Sequence, residues 1–245
     1  MISVCLATYN GERYIHCQLE SILKQLSDDD EIIISDNGSF DKTINIIESF
    51  GDPRIKLYSF IDNSSIKKRD SKSHYLVTRN FENALKNASG DYIFLSDQDD
   101  IWYENKVEKM LPYILKGNLV QSNYSIINKQ NQIIIDKYQK ENPISNNLIL
   151  NLYKQPFHGC CMAFPRSLLE IALPFPENLI MHDNWLGCIA MLSRYKVKYI
   201  NAPLLYYRRH DLNVSKSKSD NPLWFKFKYR IVFLIQLLNR KSRKK

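Results

Sequence analysis

Along the first hundred positions the spacing of apolar residues alternates between two patterns. "SVCLA" is a short continuous apolar run, followed after "TYNG" by Ile15, Leu19, Ile22, Leu23 and Leu26 at mostly three- and four-residue intervals. The run predicts a buried strand, and the intervals predict a helix with one apolar face. The alternation repeats with "EIIIS" as strand, "DNGSFDKT" as loop and Ile44, Ile47 and Phe50 on a helix. "RIKLYSF" reads as a third strand, Tyr75 to Ala88 as a helix and "DYIFLS" as a fourth strand. Strands separated by helices of this length predict βαβ crossovers, hence an α/β fold with a mostly parallel sheet covered by helices on both faces. Such sheets bind ligands beyond the carboxyl ends of their strands. The loops leaving those ends are "ATYNGE", "SDNGSFD" and "SDQDD".

The second half is less regular. A helix is predicted over Trp102 to Leu115, and "LVQSNYSIINKQNQIIIDKY" predicts two strands around the turn-forming "NKQNQ". "GCCMAFP" predicts a strand leading into a helix over Arg166 to Leu173, "HDNWLGCIAMLSRY" a helix, and "VKYINAPLLYYRRH" strand pieces. An α/β half followed by a mixed half is expected, with no clear linker between them.

Composition narrows the class. The 245 residues suffice for one sizeable domain and are short for two. With 44% hydrophobic and 24% charged residues the chain is neither disordered nor fibrous. Five cysteines, Cys5, Cys17, Cys160, Cys161 and Cys188, form no CxxC pair, which fits reduced thiols better than a disulfide frame or a zinc site. No basic, apolar and small-residue succession of a secretory signal opens the sequence, so the expected compartment is the cytoplasm.

The net charge of +8 is unevenly placed. From Arg208 to Lys245 there are 12 Lys and Arg against two acids, whereas residues 1–207 carry 22 against 24. A basic aromatic tail, 216–245, therefore follows a slightly acidic body. Its longest purely apolar run, Ile231 to Ile235, falls far short of the roughly 20 residues that span a bilayer. The tail is expected to meet an anionic membrane surface peripherally, or else to pack on the body as a helix. Nucleic acid is not expected as a partner, because the positive charge is not spread over a groove of the body.

Asp97, Gln98 and Asp99 form an acid, spacer, acid unit behind a strand, a spacing that lets two carboxylates reach one divalent cation, or one cation and a ribose hydroxyl. Oxygen ligands of this type suit Mg²⁺ or Mn²⁺, which take further ligands from substrate phosphates. Alternatively Asp99 or Asp100 caps the following helix. Neither GxxxxGK[ST] nor GxGxxG is present, so P-loop kinase and dinucleotide readings lack their phosphate cradles.

Four motifs in order, "SVCLATYNGERYI", "IIISDNGSFDKT", "GDYIFLSDQDDIW" and "MHDNWLGCIA", resemble family 2 of the glycosyltransferases, inverting enzymes of the GT-A fold. "SDQDDIW", "HDNW" and "YRRHDLNVS" look most like its bacterial branch of rhamnosyltransferases and other polysaccharide-building enzymes. The resemblance covers roughly Ile2 to Ser215 and implies a single GT-A domain over 1–215, with a Rossmann-like nucleotide-binding half (1–100) and an acceptor half (101–215). It implies donor-binding roles for Ala7, Thr8, Tyr9, Asn10, Glu12, Asp36, Asp97 and Gln98, a metal held by Asp99 with His210, and Asp183 as catalytic base. Asp36 matches the residue that accepts from N3 of uracil or thymine. Asn37, Phe40 and His182 depart from the usual pattern, and no QxxRW motif of processive synthases is present.

The implied activity is inverting transfer of one hexose, of rhamnose, galactose or glucose type, from a UDP- or dTDP-sugar to a hydroxyl of a glycan acceptor. The implied setting is synthesis of bacterial surface polysaccharide, O-antigen or capsule, on an acceptor carried by lipid. Selection of sugar and acceptor is expected around Asn123, His158 to Met162 and Trp185. The competing readings are a non-catalytic nucleotide-sugar-binding protein and a nucleotidyltransferase of similar fold, the latter weakened by the lack of a glycine-rich basic loop. Locally, Tyr9 also reads as a half-buried aromatic, Asp36 as a turn residue, Asp183 as a helix cap and His210 as a loop histidine.

Overall fold

The structure, a computed structural model, describes residues 1–61, 72–193, 195–211, 213 and 223–242. In chain order its elements are β1 (Ile2–Thr8), α1 (Ile15–Leu23), β2 (Glu31–Asp36), α2 (Thr43–Ser49), β3 (Ile55–Ser59), α3 (Lys72–Asn87), β4 (Tyr92–Asp97), β5 (Ile101–Trp102) and α4 (Lys106–Ile114). There follow β6 (Leu119–Ile127), β7 (Ile133–Ile135), α5 (Leu148–Lys154), β8 (Met162–Pro165), α6 (Ser167–Ala172), α7 (His182–Leu192), β9 (Val197–Arg208) and α8 (Leu223–Ser242).

One sheet runs β3-β2-β1-β4-β8-β6-β9-β5, with β7 beside β6. The first four strands are parallel, as the alternation of runs and intervals predicts, and β8 then runs antiparallel between β4 and β6. Strands buried on both faces read as near-continuous apolar runs. Alternate residues of these runs point to opposite faces. Cys5, Ile33, Ile93 and Leu95 pack with Phe81 and Leu85 of α3 and with α7. Val4, Leu6, Ile32, Ile34 and Phe94 pack with Ile15, Leu19 and Ile22 of α1 and with Met110 of α4. A helix layer therefore covers each side.

Glu31 pins the end of the sheet opposite the ligand side. Its Oε1 accepts from Ser3 Oγ (2.5 Å) and the Ser89 amide (2.7 Å), and its Oε2 from Lys56 Nζ (2.7 Å).

Three local expectations are adjusted. The helix expected from Trp102 starts at Lys106, because Ile101 and Trp102 pair with Tyr206 and Leu205 of β9 and bury the indole against Phe94. "GCCMAFP" opens with a 3-10 turn over Gly159–Cys161 before β8. The strand pieces of "VKYINAPLLYYRRH" form one strand, parallel to β6 and with register shifts near Asn123.

Within the basic tail, residues 216–222 lie outside the described residues, and α8 packs on the body. Phe233 and Leu237 are buried in the core that holds Trp185, and Arg240 donates to the carbonyls of Ile171 (3.3 Å) and Leu173 (2.9 Å). Among the described residues no helix is long and apolar enough to cross a membrane.

Candidate active site

The strand order reverses at β1, which has β2 on one side and β4 on the other. Parallel sheets open a crevice at such a point, beyond the carboxyl ends of the strands. Register sets Thr8 beside Asp36 and Ala7 beside Asp97, so four predicted positions meet there through strand pairing alone.

The loop after β1 is held by two neighbouring loops. Gln98 Oε1 accepts from Thr8 Oγ1 (2.6 Å) and from the Tyr9 amide (2.8 Å), while its Nε2 donates to the Tyr9 carbonyl (3.1 Å). Asn10 stands at φ 49°, a left-handed conformation that asparagine tolerates. Its amide donates to Ser39 Oγ (2.8 Å), and its Oδ1 accepts from the Phe40 amide (3.0 Å). Tyr9 is half exposed, edge-on to Phe40 at the rim.

Asp36 is buried beneath this rim. Its oxygens accept from the amides of Gly38 (2.9 Å) and Ser39 (2.8 Å) and from Ser39 Oγ (2.5 Å). Glu12 points away from the crevice, accepting from the Lys42 amide (2.9 Å).

The loop after β4 carries the acids. Asp99 Oδ2 lies 2.6 Å from His210 Nε2 and accepts from Asn213 Nδ2 (3.1 Å). Arg208, fully buried, donates from Nε to the Asp99 carbonyl (2.8 Å) and from its amide to Asp100 Oδ1 (3.0 Å). Asp97, Asp100 and Cys160 bring one ligand atom each within 4.8 Å of one another. Burial raises the pKa of Asp97, and the carboxylates of Asp99 and Asp183 raise it further. Burial, with Asp99 and Asp97 nearby, also keeps Asp100 well above its ordinary value, and its Oδ2 has no partner.

The carboxylates of this set fit a hard divalent cation, with one buried oxygen unpartnered among neighbouring acids, whereas the Cys160 thiol is a softer ligand. Asp97 and Asp99 line the crevice, whereas Asp100 lies beneath it. Lys106, fully buried behind the acids, donates to the Cys160 carbonyl (2.6 Å), and burial lowers its pKa.

Opposite stands the first turn of α7. Asp183 Oδ1 accepts from the Asn184 amide (2.7 Å) and Nδ2 (3.1 Å). Burial pushes its pKa up to about 6, against those bonds and one from the Gly159 amide. His182 stacks on Phe81 with ring centroids 4.1 Å apart, and burial depresses its pKa to about 3.

Asp97, Asp99, Asp183 and His210 line one cleft of about 1540 Å³. That exceeds the roughly 300–1,000 Å³ usual for one small ligand, leaving room for two ligands together. Ala7, Thr8, Tyr9, Asn10 and Gln98 line it too; Glu12 and Asp36 do not. On the side of β6 and β9, Tyr124, Tyr138, Tyr207 and His158 form an aromatic wall, with Tyr124 5.4 Å from His158 and 4.8 Å from Tyr138. Burial and the Arg209 charge lower the His158 pKa to about 4.

Trp185 does not join this wall. It is fully buried, donates to the Ala172 carbonyl (3.0 Å) and packs on Phe233, so its expected part in selection is corrected to a core role. Arg208 and Lys106 are site residues that sequence reading missed. Both look like surface charge in their local context.

A sequence profile described as Glycosyl transferase family 2 matches residues 3–171. The UDP-Glc:alpha-D-GlcNAc-diphosphoundecaprenol beta-1,3-glucosyltransferase WfgD of Escherichia coli is 30% identical over 223 residues, covering 89% of this chain and 81% of its own length. The dTDP-rhamnosyl transferase RfbG of Shigella flexneri is 28% identical over 243 residues, covering 94% and 79%. Among solved structures, S. aureus TarS 1-349 in complex with UDP-GlcNAc superposes with a TM-score of 0.69 at 18% identity, covering 96% of this chain and 66% of that one. Glucosyl-3-phosphoglycerate synthase from Mycobacterium tuberculosis, in complex with Mn²⁺, UDP and glucosyl-3-phosphoglycerate, gives 0.58 at 20% identity, covering 99% and 80%. The last two are likenesses of fold.

Proposed function

The chain belongs to glycosyl transferase family 2 and has the GT-A fold, and from that premise we propose that it moves one hexose, with inversion, from a UDP- or dTDP-sugar to a hydroxyl of a lipid-carried glycan. The product belongs to a bacterial surface polysaccharide, O-antigen or capsule. The observation that carries this reading is the sharing of one cleft by Asp183 and the Asp97–Asp99 pair, close enough for both neighbours to act on the Asp97 charge.

Residues 1–100 take the nucleotide and residues 101–215 the acceptor. Ala7 to Asn10 line the base end. Asp36, buried directly behind the cleft-lining Asn37 and Gly38, uses three of the roughly four acceptor sites of a carboxylate on its own turn, and the fourth would take the imide N–H of uracil or thymine at that edge of the cleft. Asp183 accepts the proton of the acceptor hydroxyl as its oxygen attacks the anomeric carbon from the face opposite the diphosphate. The bond from that carbon to the diphosphate oxygen breaks as the new glycosidic bond forms, so one displacement inverts the centre. Asp99 and His210, with Asp97, would hold Mn²⁺ or Mg²⁺, which when bound offsets the charge of the leaving diphosphate. The protein works at the inner face of the cell membrane.

A hydrolysis screen over UDP- and dTDP-sugars with Mn²⁺ or Mg²⁺ tests the reading. Turnover of a donor by the wild type and its loss in Asp183→Asn is the expected result. Binding of a nucleotide sugar with no turnover under any condition would leave a binding protein instead.

A further inference from the structure

Helix α8 is apolar on two opposite sides. Tyr229, Phe233 and Leu237, four residues apart, pack inward on the body. Phe227, Ile231, Ile235 and Leu238 recur at intervals of four, four and three, which places them on one stripe of the other side. All four are exposed, Phe227 by 68%. A stripe of this kind on a soluble body marks a surface that meets something apolar.

A second set adjoins it. On α5, Ile149, Leu150 and Tyr153 share a face by the same spacing and are exposed, Tyr153 by 66%. Arg230 of α8 ties the two helices, donating from Nε (3.1 Å) and Nη2 (2.9 Å) to the Tyr153 carbonyl, with its guanidinium 5.0 Å from the Tyr153 ring centroid. The residues that follow directly, Lys154 and Gln155, line the cleft that also holds Asp183.

Charge selects the occupant. Between Leu223 and Ser242 stand Lys226, Lys228, Arg230, Arg240 and Lys241, with no Asp or Glu. Lys228, beside Phe227 in the chain, is exposed. An apolar stripe beside an exposed cation, on a helix with no acid to repel anionic head groups, fits the boundary between head groups and acyl chains of an anionic leaflet, where a helix lies flat with its apolar face sunk by about 5–10 Å.

We propose that α5 and α8 together form a docking face for an anionic lipid bilayer, set so that the acceptor end of the cleft opens beside the membrane surface. This rests on the glycosyl transfer to a lipid-carried glycan proposed above. The carrier's lipid stays in the leaflet while its glycan reaches Asp183 past Lys154 and Gln155.

The test is flotation of the full chain with vesicles of phosphatidylcholine alone or mixed with phosphatidylglycerol. The wild type is expected to float with the mixed vesicles and to be released by salt. Phe227→Ser combined with Ile231→Ser should lower partitioning at least about tenfold, since sinking two large apolar side chains contributes more than that factor. Lys228→Glu should weaken it less. Both variants should keep the wild-type thermal midpoint and donor hydrolysis. Three results overturn the proposal: binding unchanged in the double variant, no binding to either vesicle, or a self-associated chain that the double variant turns into monomer while vesicles have no effect. Flotation as expected without hydrolysis of any nucleotide sugar would instead fault the catalytic reading, so the two failures are distinct.

Discussion

Nε2 of His210 lies 2.6 Å from Oδ2 of Asp99, so the segment after β9 meets the loop after β4 at one carboxylate although 111 residues separate them. The contact is buttressed by Tyr14, whose ring lies 4.9 Å from the imidazole and 4.6 Å from the Arg208 guanidinium. If the pair shares a metal, His210→Ala leaves Asp99 with fewer orienting partners as well as one ligand fewer. Loss of such groups typically costs about 10–100-fold in metal affinity or activity. A Mn²⁺ titration of turnover in His210→Ala is expected to shift to higher concentration by that order, with the thermal midpoint little changed. An unshifted titration would assign His210 to holding the loop alone.

Asp183 faces the cleft from the first turn of α7, where the helix dipole favours its ionised form and burial opposes it. A general base typically contributes about 10²–10⁴ in rate. Asp183→Asn, nearly the same in shape, should lose turnover by that order while donor affinity, read by calorimetry, stays close to wild type. The pH dependence has a definite sign. Only the ionised carboxylate takes a proton, and its pKa stands at about 6. Turnover should therefore be full above that value and fall about tenfold for each pH unit below it. The residual activity of Asp183→Asn should lack this acidic limb.

The first half of the fold is legible because β1, β2 and β4 are buried on both faces, and double burial writes itself as an uninterrupted apolar run. Asp97 and Asp99 are legible for a related reason, since acids directly behind such a run fall at the carboxyl edge of the sheet. Arg208 and Lys106 are not. Each is fully buried among partners from distant segments, Arg208 on the Asp99 carbonyl and Lys106 on the Cys160 carbonyl. A local window in "YYRRH" or "YENKVEK" shows only ordinary surface charge. Trp185 fails in the opposite sense, because an aromatic beside a candidate base suggests a sugar contact until the helix phase turns it into the core.

Glu31 yields a stability prediction of opposite sign to the acids of the cleft. Burial pushes its pKa up, but the bonds from Lys56, Ser3 and Ser89 outweigh burial and bring it to about 2, below the ordinary 4.5. A depressed folded value means stability that is present above about 4.5 and is lost as pH falls towards 2. Hydrogen bonds to a charged group contribute about 1.5–3 kcal/mol. Glu31→Gln should lower stability at neutral pH by about that range, read by denaturant titration. Its loss of stability between pH 4.5 and 2 should also be smaller than that of the wild type.

Gly11 tests whether the loop after β1 owes its shape to Gln98. A Cβ built on Gly11 would stand 2.5 Å from Gln98 Oε1, the atom that accepts from Thr8 Oγ1 and the Tyr9 amide. Gly11→Ala must therefore displace the Gln98 side chain and release both donors. Gln98→Leu removes the same acceptor directly. Each lost bond is worth about 0.5–1.5 kcal/mol, so losing the two that Oε1 accepts predicts a rise of about 5- to 150-fold in the KM for the donor in either variant. Turnover at saturation should fall much less, because Asp183 stands on a different element. The double variant should be no worse than the more severe single one, since both act through one contact. Additive losses in that cycle would mean that Gly11 is required for close approach of the donor, independently of Gln98.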